Sequence, residues 1–323
     1  MADGKDHNAE KATARLRGIT LGEALTGFFS ARELKPKTSY EYAGIMARSF
    51  GDWMEKPLRD ITPLQMVKRF EEVTEKAGKA SAMLSLRVFG SVWNYTKAAT
   101  ANNDGIPLLG GSPTGRISDL RKTYKSVRRQ EHVQDFSKFF GGLASVQSGD
   151  FRDFVELLTR TGLRRSEASG LKWDDVDMKR RTFTARDTKN YKGHKLPTSV
   201  QVDAIFERLR QRHGGCKYIW GDSPMGDPRK SLAKLVAAYG EPFRLHDARR
   251  GFTNLIELCG VNWLKTKALL YHSVNGDVTA GYTVNADPER LRPEMQAISD
   301  KLDELAGLCH PGQKAQETLL RLK

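Results

Sequence analysis

The chain has 323 residues, 39% of them hydrophobic, enough to bury the cores of two ordinary domains and too apolar for a disordered polymer. Lys and Arg number 53 against 39 Asp and Glu, and the net charge of +14 suits a polyanion, because each phosphate neutralised by a basic side chain releases counterions. Cys216, Cys259 and Cys309 form no CxxC pair and no zinc spacing, no apolar run approaches the roughly 20 residues that cross a bilayer, and the N-terminus has no secretory core, so a reduced cytoplasmic protein without a membrane span is expected.

In chain order, residues 1–17 read as a flexible tail or a charged first helix, and helical patterning begins at Thr20. The stretch Thr38–Met54 is expected to be helical, with Tyr40, Ala43, Met46, Ala47, Phe50 and Trp53 on one face. Thr62 is a good N-cap, Pro63 suits the first helical position, and Leu64, Val67 and Phe70 follow as an apolar stripe. A longer helix is expected over Lys79–Ala98, with Met83, Leu86, Phe89, Val92, Trp93 and Tyr95. Together these describe a small helical bundle over residues 18–110 that carries no catalytic constellation. The Gly-, Pro-, Ser- and Asn-rich stretch NNDGIPLLGGSPTGRISDL and the basic run RKTYKSVRRQEH then mark an interdomain connection, with residues 111–132 as the linker. Such a basic run is either a solvated surface or a strap on a nucleic-acid backbone, in which case Lys122, Lys125, Arg128 and Arg129 make the contacts.

A second domain over residues 133–323 opens with helices at Phe136–Leu143 and Phe151–Thr161. TFTAR, the turn NYKG and HKLPTS read as a β-hairpin with Gly193 supplying the turn; helix resumes after Pro197, and GDSPMGDPRK is a loop.

Four stretches of this second half carry chemistry. TGLRRSE puts Arg164 at a helix start with Glu167 three residues on, able to hold the guanidinium or a neighbouring histidine. DTKNYKGHKLP puts Lys189 ahead of the hairpin turn, with Lys192 and Lys195 as alternatives. HDARRGF puts His246 and Arg249 on one helix face and leaves Arg250 for a backbone or carboxylate contact. LLYHSVNGDVTAGYT carries His272 and Tyr282. Taken singly, these are a helix start, a solvated lysine, a common HxxR spacing and an ordinary tyrosine. Taken together they are a phosphate-binding set: a guanidinium fork is always charged and matches two phosphate oxygens, and a phenol among cations can serve as a nucleophile.

In order and local wording these stretches resemble the tyrosine recombinase (phage integrase) family, most specifically over 161–177 and 246–283. Trp173 and Val176 look like that family's packing residues. Ala248 stands where relatives carry a leucine, at a position expected to face the core. Tyr271 stands where they carry a glycine, and the His272–Tyr282 spacing is one residue longer than the common one, as in a subset of phage and island integrases. The resemblance implies a mainly helical chain with a small β-hairpin or sheet, in which a core-binding helical domain and an α+β catalytic domain clamp double-stranded DNA at core-type sites in a C shape. It implies that Tyr282 attacks the scissile phosphate to form a 3′-phosphotyrosine link. Lys189 protonates the departing 5′ oxygen, and Arg164, Arg249, His246 and His272 stabilise the transition state. No metal, cofactor or ATP is expected. Four protomers would assemble on two sites in a bacterial cytoplasm, and the segment after Tyr282, with a helix near Pro288–Leu305, would dock on a neighbouring protomer; accessory DNA-bending proteins are possible partners. The competing functions are a type IB topoisomerase-like nicking and relaxing enzyme, which would act as a monomer, and a non-catalytic DNA-binding protein on the same scaffold. The few residues ahead of the first bundle helix suggest a short recombinase or a chain lacking an arm-binding domain.

Overall fold

The computed structural model describes residues 18–101, 107, 109–115, 133–186, 193–270 and 287–308. The chain divides into two compact units, Met1–Arg128 and Arg129–Lys323.

The first unit is built from α1 (Leu21–Ala31), α2 (Pro36–Phe50), α3 (Pro63–Ala77) and α4 (Lys79–Ala99). Two of these helices start where the sequence supplies reciprocal caps. The Glu23 N–H donates to Thr20 Oγ1 at 3.2 Å while Glu23 Oε2 accepts from the Thr20 N–H at 2.9 Å, and Thr62 and Gln65 repeat the arrangement ahead of α3, with Pro63 at the first helical position. The core gathers Phe28, Met46, Phe50, Met66, Phe70, Leu86, Phe89, Val92 and Trp93, with Phe50 and Phe89 ring centroids 5.1 Å apart. Leu109 joins it, and the Trp93 indole N–H donates to the Gly110 carbonyl at 3.3 Å.

Two expected faces are displaced. On α2 the buried side is Met46, Ser49 and Phe50, flanked by Tyr42, Ile45 and Trp53; Ala43 and Ala47 are exposed and Tyr40 is 82% exposed. On α3 the buried stripe is Met66, Phe70 and Val73, and Leu64, in the first turn, is 67% exposed. In both cases a neighbouring helical stripe was almost as apolar, and alanine and tyrosine tolerate either side of a surface helix.

The second unit contains α5 (Phe136–Ala144), α6 (Gly149–Thr161), the short α7 (Arg165–Ser169), strands β1 (Val176–Asp177), β2 (Thr182–Ala185) and β3 (His194–Pro197), α8 (Val200–His213), α9 (Arg229–Tyr239), α10 (Leu245–Leu258), α11 (Trp263–Leu270) and α12 (Arg292–Ala306). The strands form an antiparallel sheet in chain order, with Phe183 opposite Leu196 and Ala185 opposite His194. Phe183 stacks edge-on against Phe206 of α8 at 5.7 Å, which seats the hairpin on the helical core. Trp173 and Val176 pack at the edge of that core, as the sequence led us to expect. Gly193 leads into β3 without a positive φ; an added Cβ would sit 3.1 Å from Thr184 Cγ2, so its value is close strand approach rather than a left-handed turn. No helix among the described residues is long and apolar enough to cross a membrane.

The helix expected near Pro288–Leu305 forms as α12, and its inner face packs on the second unit's core. Met295, Ile298 and Leu302 of α12 are fully buried, and Asp303 Oδ1 accepts from Arg160 Nη2 of α6 at 2.6 Å, with both residues 2% exposed. Gln201 of α8 donates to the other Asp303 oxygen at 2.8 Å. A buried ion pair whose second carboxylate oxygen is also bonded cannot be opened cheaply, because breaking it leaves an uncompensated buried charge. The tail at 309–323 lies outside the described residues.

Candidate active site

The site begins where α6 stops. Gly162 ends that helix in the left-handed conformation (φ 64°), its N–H donating to the Leu158 carbonyl at 3.0 Å. Two residues later Arg164 is the N-cap of α7. One Glu167 oxygen accepts from the Arg164 backbone N–H at 2.8 Å and the other from its Nη1 at 2.6 Å. Glu167 is buried while the Arg164 side chain is 32% exposed, so a hidden carboxylate aims a guanidinium that solvent can reach. Of the two roles expected for Glu167, it takes the one on the guanidinium.

α10 repeats the device. Asp247, also buried, accepts from the Arg244 N–H at 2.8 Å at the start of the helix, and its other oxygen accepts from Arg250 Nη1 at 3.3 Å. Arg250 thus makes the carboxylate contact allowed for it. Ala248 is fully buried, as expected. Arg249, on the inner side of α10, is 7% exposed; its Nη1 donates to the Gly162 carbonyl at 2.5 Å and its Nη2 to the Leu270 carbonyl at 2.6 Å. The second arginine motif is therefore tied at once to the residue two positions before Arg164 and to the last residue of α11. Burial, with the nearby Arg164 charge adding to it and Glu167 opposing it, lowers the Arg249 pKa to about 10, which leaves the group charged at neutral pH. His246 lies on the same helix and is exposed. Partial burial of its ring, then Arg250, Arg249 and Arg164, pull its pKa down against the pull of Asp247, so the neutral, proton-accepting form is favoured.

One residue of this cluster escaped the sequence reading. His194 of β3 is 6% exposed, its Nε2 lies 2.9 Å from the Ala268 carbonyl oxygen of α11, and its ring feels the charges of Glu167, Arg249 and Arg164. Period-two patterning could have found it: His194, Leu196 and the core-facing Phe183 and Ala185 share one side of the hairpin. Asp247 was legible as well, three residues after an N-cap.

The structure thus brings Arg164, Glu167, Arg249, His246 and Arg250 into one neighbourhood. Lys189, His272 and Tyr282 lie in the stretches 187–192 and 271–286, outside the described residues, as do Lys122, Lys125, Arg128 and Arg129.

Comparison with known proteins places this cluster in context. Residues 145–287 match the phage integrase family. The sequence is 25% identical over 197 residues to tyrosine recombinase XerC 2 of Ralstonia nicotianae, covering 53% of this chain and 54% of that protein, so the match spans about half the length of the relative. In fold, the chain is similar to a lambda integrase tetramer bound to a Holliday junction, with a TM-score of 0.64 at 17% identity over 86% of this chain and 84% of that one. It is equally similar to the Tn1549 transposon integrase in complex with circular intermediate DNA, with a TM-score of 0.64 at 19% identity over 86% of this chain and 99% of that one.

Proposed function

We propose that this chain, whose residues 145–287 match the phage integrase family, is a tyrosine recombinase: a site-specific DNA recombinase acting through a 3′-phosphotyrosine intermediate to integrate or excise a mobile element. In this reading Tyr282 Oη attacks the scissile phosphorus, its proton passing to the neutral His246. The P–O5′ bond breaks and the leaving oxygen takes a proton from Lys189 Nζ. Arg164 and Arg249, with His272, oppose the negative charge that grows on the non-bridging oxygens. Phosphoryl transfer asks a protein for position and positive charge more than for covalent work, and both arginines are held by groups that need not reorganise when the charge develops. The ester stores the energy of the broken bond, so a 5′-hydroxyl from a partner duplex can attack it without ATP. Double-stranded DNA is the substrate, and a tetramer spanning two sites is the working assembly.

The observation that carries this reading is the Arg249 fork: its two carbonyl partners, Gly162 and Leu270, each lie two residues ahead of another motif residue, Arg164 and His272 respectively. The test is covalent capture. Protein and a Tyr282→Phe variant are mixed with nicked, fragmented DNA from the source genome, denatured in SDS, and the attached DNA is sequenced. Tyr282-dependent adducts at one locus are expected. Adducts at scattered loci would point to a topoisomerase-like enzyme, and DNA binding with no adduct at all would refute the strand-transfer reading.

A further inference from the structure

The last turn of α11 is held from two sides. Ala268 and Leu270 are two residues apart, so at about 100° per residue their carbonyls sit on roughly opposite sides of the helix axis. The Ala268 carbonyl oxygen meets His194 Nε2 of β3 at 2.9 Å, and the Leu270 carbonyl accepts from Arg249 Nη2 of α10 at 2.6 Å. Both carbonyls are among the last four of a helix, which have no partner within it. Ala268, Leu269 and Leu270 are all buried, so a donor lost there is not replaced by bulk water, and an unpaired carbonyl would have to turn in search of another. With eight residues, α11 has little length of its own to resist such a turn. A carbonyl oxygen only accepts, which puts the imidazole proton on Nε2. The ring is also neutral: burial, with Arg249 and Arg164 adding to it and the Ala268 carbonyl and Glu167 opposing it, takes its pKa down to about 4. The Arg249 fork has its other anchor at the Gly162 carbonyl, 2.5 Å from Nη1. Two points fix the direction of a planar group, so the aim of this guanidinium depends on where the end of α11 stands. His194 is 6% exposed, which leaves it too deep to meet a phosphate and suits it to act through Arg249.

We propose that His194 is a positioning residue for Arg249: its Nε2–H bond to the Ala268 carbonyl braces the last turn of α11, so that the Leu270 carbonyl stands where it holds the Arg249 guanidinium in its phosphate-binding orientation. The inference rests on the functional reading above, in which Arg249 opposes the charge that grows on the non-bridging oxygens.

The experiment uses the full chain and a nicked duplex carrying the locus recovered by covalent capture, so that adduct accumulates. It is run with the natural scissile phosphate and with a methylphosphonate, in which a methyl group replaces one non-bridging oxygen. The methylphosphonate reacts through a transition state with one negative charge fewer, so a guanidinium aimed at that charge is worth less on it. His194→Leu is expected to slow adduct formation on the phosphate by roughly 10- to 100-fold, the scale of a misplaced catalytic group, and on the methylphosphonate far less. A general loosening of the fold would slow both substrates alike. His194→Gln, whose amide N–H reaches as far as Nε2, should restore most of the wild-type rate. The double variant with Arg249→Ala should be no slower than Arg249→Ala alone, because His194 acts through that guanidinium. An equal loss on the two substrates, effects that multiply, or Gln as slow as Leu would overturn the proposal. If His194→Leu does not fold, His194→Asn, whose shorter amide falls short of Ala268, takes its place in the comparison with Gln. Wild-type protein that forms no adduct on the phosphate overturns the functional reading and this inference together; wild-type adducts with an unaffected His194→Leu overturn this inference alone.

Discussion

Gly162 and Gly240 allow two superficially identical substitutions to be told apart. Each ends a helix in the left-handed conformation, at φ 64° after α6 and φ 75° after α9. Alanine at either position carries the left-handed penalty of about 1–2 kcal/mol. The surroundings differ. A Cβ on Gly162 would lie 2.3 Å from Cδ1 and 2.8 Å from Cε1 of Phe252, a fully buried ring that cannot swing away, whereas a Cβ on Gly240 would meet only the end of the Lys138 side chain at 3.6 Å. Overpacking of that kind adds about 1–3 kcal/mol, so Gly162→Ala should destabilise the second unit by about 2–5 kcal/mol and Gly240→Ala by about 1–2 kcal/mol. At about 2–4 °C per kcal/mol for a unit of this size, calorimetry of the full chain should separate the two melting temperatures clearly. Because the Gly162 carbonyl also holds Arg249, only Gly162→Ala should in addition slow covalent adduct formation. Equal destabilisation by the two variants, within about 0.5 kcal/mol, would refute the claim that the Phe252 ring is the obstacle.

Two further outcomes follow from the same region. Arg249→Lys replaces a fork with a single ammonium that cannot reach two carbonyls through separate nitrogens; the rate of adduct formation on denaturing gels should fall roughly 10²- to 10³-fold, and a rate within tenfold of wild type would show the bridge to be dispensable. His194 makes stability depend on pH in a definite direction. Its folded pKa of about 4 lies below the ordinary 6.5, so between those values the unfolded chain binds a proton that the folded chain refuses, and stability falls as the pH drops through that window. The contribution, fully present above 6.5, is about 3 kcal/mol at about 1.4 kcal/mol per pKa unit. Urea midpoints at pH 7.5 and 4.5 should therefore differ more for wild type than for His194→Gln, and parallel behaviour of the two would show that the ring titrates normally.

What could be read from the sequence was whatever local chemistry decides. Thr62 with Pro63 and Gln65 fixes a helix start whatever lies around it, and the break between TFTAR and HKLP fixes a hairpin. The motifs of the proposed site were legible because binding a phosphate would need specific residue types, and Arg164 and Arg249 do meet around Gly162. Harder to read was any choice that depends on a partner element. Tyr40 and Met46 are both plausible inward residues of one helix, and only the packing of α2 on α4 selects the second. Asp303 looks like a surface residue of a charged helix until Arg160, 143 positions earlier, is known to face it. That long-range pair, with Met295, Ile298 and Leu302 beside it, defines the inward face of α12.

The two motif helices solve one problem in one way, and the solution bears on what they bind. A helix that starts in a core needs its first N–H groups satisfied, and Glu167 and Asp247 do this at the third position of α7 and α10. A buried carboxylate needs a cation for its other oxygen, and each takes a guanidinium, Arg164 and Arg250. The arginines are thereby immobilised by the same groups that start the helices, so their orientation is a property of the fold and not of a bound ligand. Arg249 is held as well, its Nη1 and Nη2 donating to the Gly162 and Leu270 carbonyls, and burial, with the Arg164 charge adding to it, lowers its pKa to about 10. An anion placed near two cations is attracted by each of them, and the attraction grows with the anion's charge. A doubly charged phosphorane would therefore gain more from such a pair than a singly charged phosphodiester. In the proposed strand transfer Arg164 and Arg249 would favour the phosphorane over the ground state, which is the condition for accelerating a reaction instead of merely tightening binding.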